Sequence, residues 1–376
     1  MKKNLIVFGT RPEAIKMATL VKAFEKEKDF ETRVCITAQH RELLDQVLTF
    51  FEITPNYDLD LMRPNQDLYS LTATIIESMK PVLEEFKPDF VYVHGDTTTT
   101  MAAALSAFYS GAKVCHVEAG LRTFKKRNPF PEEMNRSIAG RLTDYHFAPT
   151  EASKENLLKE NVPEKDIKVT GNTVIDALLF SVNKLNNNNY KDPEIDQLKF
   201  TIDFSKKIIL ITGHRRENHG QGFIDICKAL KQIAEEHPEA QLVYPVHLNP
   251  NVQKPVYELL DGISNISLID PLSYPAFVWL MEKSYLIITD SGGVQEEAPS
   301  LGKPVLVMRN TTERPEAVKA GTVILVGTNT EKIVSETNKL LKDKNHYETM
   351  SKKHNPYGDG KACARIIKFV ALKAQT

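Results

Sequence analysis

The chain has 376 residues, enough for two domains, and 41% of them are apolar, enough for a sizeable core. Its net charge of −1 excludes the broad positive field that nucleic acid requires, so an anionic ligand must be met by local positive groups. No apolar run reaches membrane-spanning length, Leu5–Phe8 is too short for a secretion signal, and Cys35, Cys115, Cys227 and Cys363 form no CxxC, the pattern of reduced thiols in a cytosolic protein.

Apolar runs at Leu5–Phe8, Phe90–Val93, Lys113–Val117, Ile208–Ile211, Gln241–Val246, Leu286–Thr289 and Pro304–Met308 predict buried parallel strands. Amphipathic stretches such as Ala14–Lys26, Gly222–Glu236 and Thr330–Leu341 predict the helices that cover them. Asn183–Asp196 is polar and holds four consecutive asparagines, so it reads as an exposed connection, with the passage between domains falling between Thr170 and Ser205. The halves share a layout. "NLIVFGTRPEA" from Asn4 matches "KIILITGHRRE" from Lys207, and the strand-Asp-helix-strand stretch from Phe90 matches that from Tyr285. The fold class is therefore α/β with two doubly wound domains, whose ligands sit beyond the carboxyl ends of the strands. If those edges face each other, a central cleft receives the polar strand ends.

The strand ends carry the chemistry. After the first strand, Gly9 lets the chain turn into a helix whose free N–H groups attract anions, Pro12 suits its first turn, and Arg11 and Lys16 supply charge. The alternative is an ordinary helix cap with solvated charges. "HGDTTTT" brings Asp96, "HVEAGLRT" brings Glu118, and "PFPEEMNR" adds Glu132 and Glu133. Clustered carboxylates raise one another's proton affinity, which suits proton transfer near neutrality; capping by Asp96 and a structural ion pair at Glu118 are the alternative. His94-x-Asp96 and His116-x-Glu118 each share a strand face, so a metal is conceivable, although core histidines fit as well and no metal is expected. In the second half, "GHRREN" offers His214 as an acid or base. "GQG" at Gly220–Gly222 lacks the third glycine of a nicotinamide fingerprint, so no cofactor is expected. Phe277 in "SYPAF" can serve as a platform for a base or as core. "TDSGGVQEEA" presents Ser291, Gly292 and Gly293 to a diphosphate and Glu297 to ribose hydroxyls, and "TTERPE" adds Arg314; a charged helix face after a glycine turn is the alternative.

"GTRPEAIK", "HGDTTTT", "HVEAGLRT", "PEEMNR", "HRREN" and "DSGGVQEEA", in this order, resemble the bacterial non-hydrolysing UDP-N-acetylglucosamine 2-epimerases, from Leu5 to about Lys368. The resemblance implies a GT-B type fold of two Rossmann-like domains: residues 1–171 with a returning C-terminal helix in 361–376, and a UDP-binding domain of residues 172–360. It implies a cytoplasmic homodimer that interconverts UDP-GlcNAc and UDP-ManNAc through UDP and a 2-acetamidoglucal, supplying ManNAc for cell-surface polysaccharide, with no nucleic acid and no membrane as partner. Arg11, Lys16, Phe277, Ser291, Gly292, Gly293, Glu297 and Arg314 would hold substrate, and Asp96, Glu118, Glu132 and His214 would carry the chemistry. Two departures stand out. Relatives activated by a second UDP-GlcNAc have Gln and a basic residue near Glu42 and Asn65, and a Gln that often follows "DP" is Leu272 here. The rival readings are a hydrolysing epimerase, a GT-B glycosyltransferase and a non-catalytic sugar-nucleotide sensor. The carboxylate set argues against the last two, because neither needs a proton removed from sugar C2.

Overall fold

The computed structural model describes residues 1–38, 41–63 and 66–375. Asn65 lies outside them, as do Gln39 and His40 of the motif that contains Glu42. The chain forms two compact units, Met1–Ala177 with Tyr357–Thr376, and Leu178–Pro356.

The first unit holds a parallel sheet of 7 strands: β1 (Lys2–Phe8), β2 (Phe30–Ile36), β3 (Tyr57–Asp58), β4 (Phe90–His94), β5 (Lys113–Val117), β6 (Tyr145–Ala148) and β7 (Ile167–Val169), in the order β3-β2-β1-β4-β5-β6-β7. Apolar residues fill the centre, as burial on both faces requires: Leu5–Phe8 and Phe90–His94 are wholly buried. Helix Thr98–Ser110 brings Ala102, Ala103, Ala104 and Ala107 into the core beside Val91, Val93 and Met79. The second unit repeats the plan with 6 parallel strands: β8 (Lys207–Thr212), β9 (Ala240–Pro245), β10 (Ile266–Ile269), β11 (Leu286–Thr289), β12 (Val305–Val307) and β13 (Val323–Leu325), ordered β10-β9-β8-β11-β12-β13. Its core gathers Ile209, Ile211, Leu242, Ile288 and Leu306 under Phe223, Leu230 and Ile333.

Both sheets are doubly wound and Rossmann-like. Strand order reverses between β1 and β4 and again between β8 and β11, so each unit has a crevice beyond the carboxyl ends of those pairs. Each expected strand overlaps one of these elements, with Val246, Pro304 and Met308 lying just beyond the ends of β9 and β12. The unexpected ones are short or polar: β3 has two residues, and β2 carries Glu31, Thr32 and Arg33. The polar Asn183–Asp196 stretch is not all connection. Helices Thr173–Leu185 and Pro193–Thr201 claim its ends, because Pro193 starts a turn that the Asp192 carboxylate caps, accepting from Glu194 and Ile195 N–H. The last helix, Ala362–Lys373, packs within the first unit, where Phe369 meets the rings of Tyr145 and Phe147 edge-on at 5.6 and 5.7 Å.

Candidate active site

In the first unit the chain leaves β1 at Gly9 and enters helix Arg11–Phe24 through a capping box. The buried Glu13 carboxylate accepts from Gly9 N–H at 3.0 Å, Thr10 N–H at 2.8 Å and the Thr97 hydroxyl at 2.6 Å, joining the turns after β1 and β4. Gly9 is not in the left-handed region. It is required by contact, because a Cβ there would lie 2.0 Å from Thr37 Oγ1 and 2.6 Å from Thr99 Oγ1. The expectation that this glycine serves the turn is thus corrected.

Lys16, one turn into the helix, pairs with the Glu118 carboxylate. Glu118 follows β5 in a left-handed conformation (φ 61), rare for a side chain of its kind and a mark of local strain. Its Oε2 also accepts from Asn172 Nδ2 at 2.7 Å and lies 3.7 Å from His94 Nε2. Asp96 follows β4 and the Gly95 turn; its Oδ2 is 3.5 Å from Arg136, and its backbone carbonyl accepts from Asn135 at 3.0 Å. β4 ends at His94 and β5 at Val117, so His94/Asp96 and His116/Glu118 straddle strand ends rather than share a strand face. His116 instead bonds the Gly95 carbonyl at 2.7 Å. Burial drives its proton affinity down to about 3, against that bond and with help from His146, Arg122 and His94, so it is neutral.

The two carboxylates differ in proton affinity. Burial works to raise that of Glu118, but Lys16 and His94 outweigh it and hold the group well below the usual carboxylate range. Burial raises that of Asp96; Glu118 adds to the rise, and Arg136, Lys16 and His94 oppose it. One group is kept ionised while its neighbour is pushed toward protonation, the signature of a site that moves protons. Glu132 begins helix Glu132–Leu142 half-buried, with no hydrogen-bond or ion-pair partner among the described residues. The adjacent Glu133 is structural: it accepts from Thr123 and Phe124 N–H and pairs with Arg136 at 3.0 Å.

In the second unit, β8 leads into His214 and Arg215, and β11 into Asp290, Ser291 and the helix Gly292–Glu297. The Arg215 and Arg314 guanidinium groups each come within 3.8 Å of where a Gly292 Cβ would stand, so both flank the turn. Arg314 is held by Glu296, while Arg215 has no side-chain partner among the described residues and its Nε is buried. Two guanidinium groups beside a backbone turn at Ser291, Gly292 and Gly293 suit a diphosphate. Glu297 closes the turn, with Oε2 3.6 Å from the Gly293 Cβ position. Phe277 is half-buried on helix Tyr274–Lys283, and no hydrogen bond or ring contact joins it to the Ser291 turn among the described residues.

Thus Lys16, Asp96 and Glu118 gather in one unit, and His214, Ser291, Gly292, Gly293, Glu297 and Arg314 in the other. Arg11 opens its helix half-buried. Glu42 is exposed on helix Arg41–Phe51, and Leu272 is half-buried before helix Tyr274–Lys283. Sequence reasoning missed Asn172, Glu13, Arg215 and Asp290. Arg215, in the double arginine of "HRREN", and Asp290, the strand-end Asp of "TDSGG", left a local signal; Asn172 and Glu13 left none that points to their partners. No group of three or more His, Cys, Asp or Glu forms a metal cluster among the described residues.

The family model described as UDP-N-acetylglucosamine 2-epimerase matches residues 22–371. A Yersinia pestis protein named UDP-N-acetylglucosamine 2-epimerase is 62% identical over 371 residues, covering 99% of this chain and 98% of that one. The crystal structure of UDP-GlcNAc 2-epimerase from Neisseria meningitidis bound to UDP-GlcNAc aligns with a TM-score of 0.89 at 53% identity, over 99% of this chain and 100% of that one. The S. aureus MnaA-UDP co-structure aligns at 0.85 with 47% identity, over 100% of this chain and 97% of that one. A family model that spans residues 22–371 and a relative 62% identical over nearly the full length of both chains show that this chain belongs to the UDP-N-acetylglucosamine 2-epimerase family, a family of isomerases.

Proposed function

We propose that the chain interconverts UDP-GlcNAc and UDP-ManNAc without hydrolysis, by anti elimination of UDP and its return. The observation that carries this reading is the Asp96/Glu118 pair beside Lys16, with unlike proton affinities beyond the ends of the neighbouring strands β4 and β5. The C2 proton is not adjacent to a carbonyl, so a base alone cannot take it. Departure of UDP from C1 gives the sugar oxocarbenium character and acidifies C2. A carboxylate then removes the proton, leaving 2-acetamidoglucal and UDP. A carboxyl on the opposite face returns a proton to C2, and UDP re-adds to C1. Glu118 and Asp96 serve the two faces, and Glu132 is the third carboxylate of the set. A carboxylate held by Lys16 and Asn172 is a weak base at rest. Binding draws Lys16 toward substrate oxygens, and the proton affinity of Glu118 then rises into the working range.

Arg11, Arg215, Arg314 and the Ser291–Gly293 turn stabilise the diphosphate as it leaves, Glu297 accepts from the ribose hydroxyls, and Phe277 carries the base. His214 assists the departing phosphate. The chain acts as a homodimer in the cytoplasm and supplies ManNAc for cell-surface polysaccharide; its four free, buried cysteines suit a reducing compartment.

Incubation with UDP-GlcNAc in D₂O, followed by NMR, tests the reading. UDP-ManNAc deuterated at C2 is expected. Unlabelled product sinks the elimination mechanism, and free ManNAc as the main product assigns the chain to hydrolysis. Glu118→Gln is expected to lower C2 exchange at least ~100-fold while UDP still binds; undiminished exchange removes Glu118 from the proton transfer.

A further inference from the structure

Asp290 is fully buried at the end of β11. Its Oδ2 accepts from His214 N–H at 2.9 Å, Arg215 N–H at 2.8 Å and Asn218 Nδ2 at 3.3 Å. Its Oδ1 is buried with no hydrogen-bond partner. A buried anionic oxygen without a donor is costly, so a native fold that keeps one calls for an explanation. His214 Nδ1 stands 3.5 Å from this oxygen. A lone pair on Nδ1 would set two acceptors against each other, whereas a proton there supplies the missing donor. The same imidazole lies parallel to that of His247, with centroids 5.3 Å apart and planes 16° apart, and His247 Nδ1 accepts from Asn249 N–H at 3.1 Å. The His214 ring is therefore held on one face and at one edge, although its side chain is 44% exposed.

We infer that Asp290 is a positioning residue for His214, keeping the proton on Nδ1 so that Nε2 alone faces the reaction. This rests on the proposed elimination of UDP. When UDP leaves, the imidazolium Nε2–H donates to the phosphate oxygen that gains charge, and on the return of UDP the same hydrogen bond is released; Nδ1–H stays with Asp290 throughout. Four groups act on His214: Asp290 after β11, His247 after β9, and Arg215 and His219 on its own segment. Burial lowers the proton affinity of His214, and His247, Arg215 and His219 lower it further. Asp290 is the opposing, anionic group. Removing that charge disfavours the imidazolium, so a rate limb that needs it must move to lower pH.

The resting protein is examined first, by ¹⁵N NMR of the His214 ring above its titration. The Nδ1–H tautomer is expected; an Nε2–H tautomer overturns the inference, whether or not the elimination reading holds. Asp290→Asn is then expected to lower kcat ~100-fold or more, with a smaller change in KM, and to shift the alkaline limb of the pH profile to lower pH. In a His214→Asn background the same change is expected to cost less than ~3-fold, since the residue through which it acts is gone. An unshifted profile, or an equal loss in both backgrounds, reduces Asp290 to a structural role and overturns the inference. If Asp290→Asn does not fold, the tautomer of the wild-type protein decides alone.

Discussion

Gly9 stands where β1 hands the chain to its helix, and the space of its missing side chain is taken by Thr37 and Thr99. A methyl group would meet Thr37 Oγ1 at 2.0 Å, inside any tolerable contact. Gly9→Ala is therefore expected to destabilise the protein by ~1–3 kcal/mol, the usual cost of overpacking a filled site. Chemical denaturation checks this, and Thr37→Ala in the same chain should recover part of the loss. Unchanged stability in Gly9→Ala would mean that Thr37 moves aside freely. The same turn explains Glu13, which reads as one charge in "GTRPE". It gathers N–H and hydroxyl donors from the turns after β1 and β4, and so sets Lys16 and Asp96 on common ground. No spacing rule shows that bond, because Thr97 lies 84 residues from Glu13.

Among the elements, helices Thr173–Leu185 and Ala362–Lys373 are tied by one carboxylate. Asp176 accepts from Ala362 N–H at 3.1 Å and Cys363 N–H at 2.9 Å, capping a helix that begins 186 residues later. Asp176→Ala leaves those donors empty and should cost ~1–2 kcal/mol. Faster hydrogen exchange at Ala362 and Cys363 than elsewhere in the first unit would show it, and unchanged protection would mean that Phe369 packing alone holds the helix. Strand elements were legible where apolar residues run unbroken, as in Leu5–Phe8 and Leu286–Thr289. They were illegible where edge position or polar composition removed the pattern, as in β3 and β2, since a strand half open to water need not be apolar. The ends of Asn183–Asp196 were misread because a capped helix start is as polar as a loop.

For the whole molecule, acid bears on the first unit through two buried histidines. His116 and His146, both buried in the first unit, are depressed to about 3 and about 4, by burial first and by cationic neighbours second. Their folded affinities lie below the ordinary histidine value of 6.5. The unfolded chain therefore binds protons that the folded one refuses, and the stability they give above that value is lost as pH falls from 6.5 toward 4. Two such groups imply a loss of ~2–3 kcal/mol per pH unit in the first unit. Hydrogen exchange in β4–β6 between pH 6.5 and 5 should follow that slope, and His146→Gln should halve it; a flat profile would show that both rings protonate in place. The sequence by itself determined the α/β class, the doubled layout, the family and the identity of the polar strand ends, because burial on two faces and turns at strand ends are local demands written in consecutive residues. Tertiary structure alone decided which of those ends share an electrostatic environment. The split between Asp96 and Glu118, the Asn172 and Lys16 bonds to Glu118, and the lone oxygen of Asp290 beside His214 depend on distances between residues far apart in the chain. Proton affinity follows those distances and the solvent lost on burial, and neither is a property of residue order.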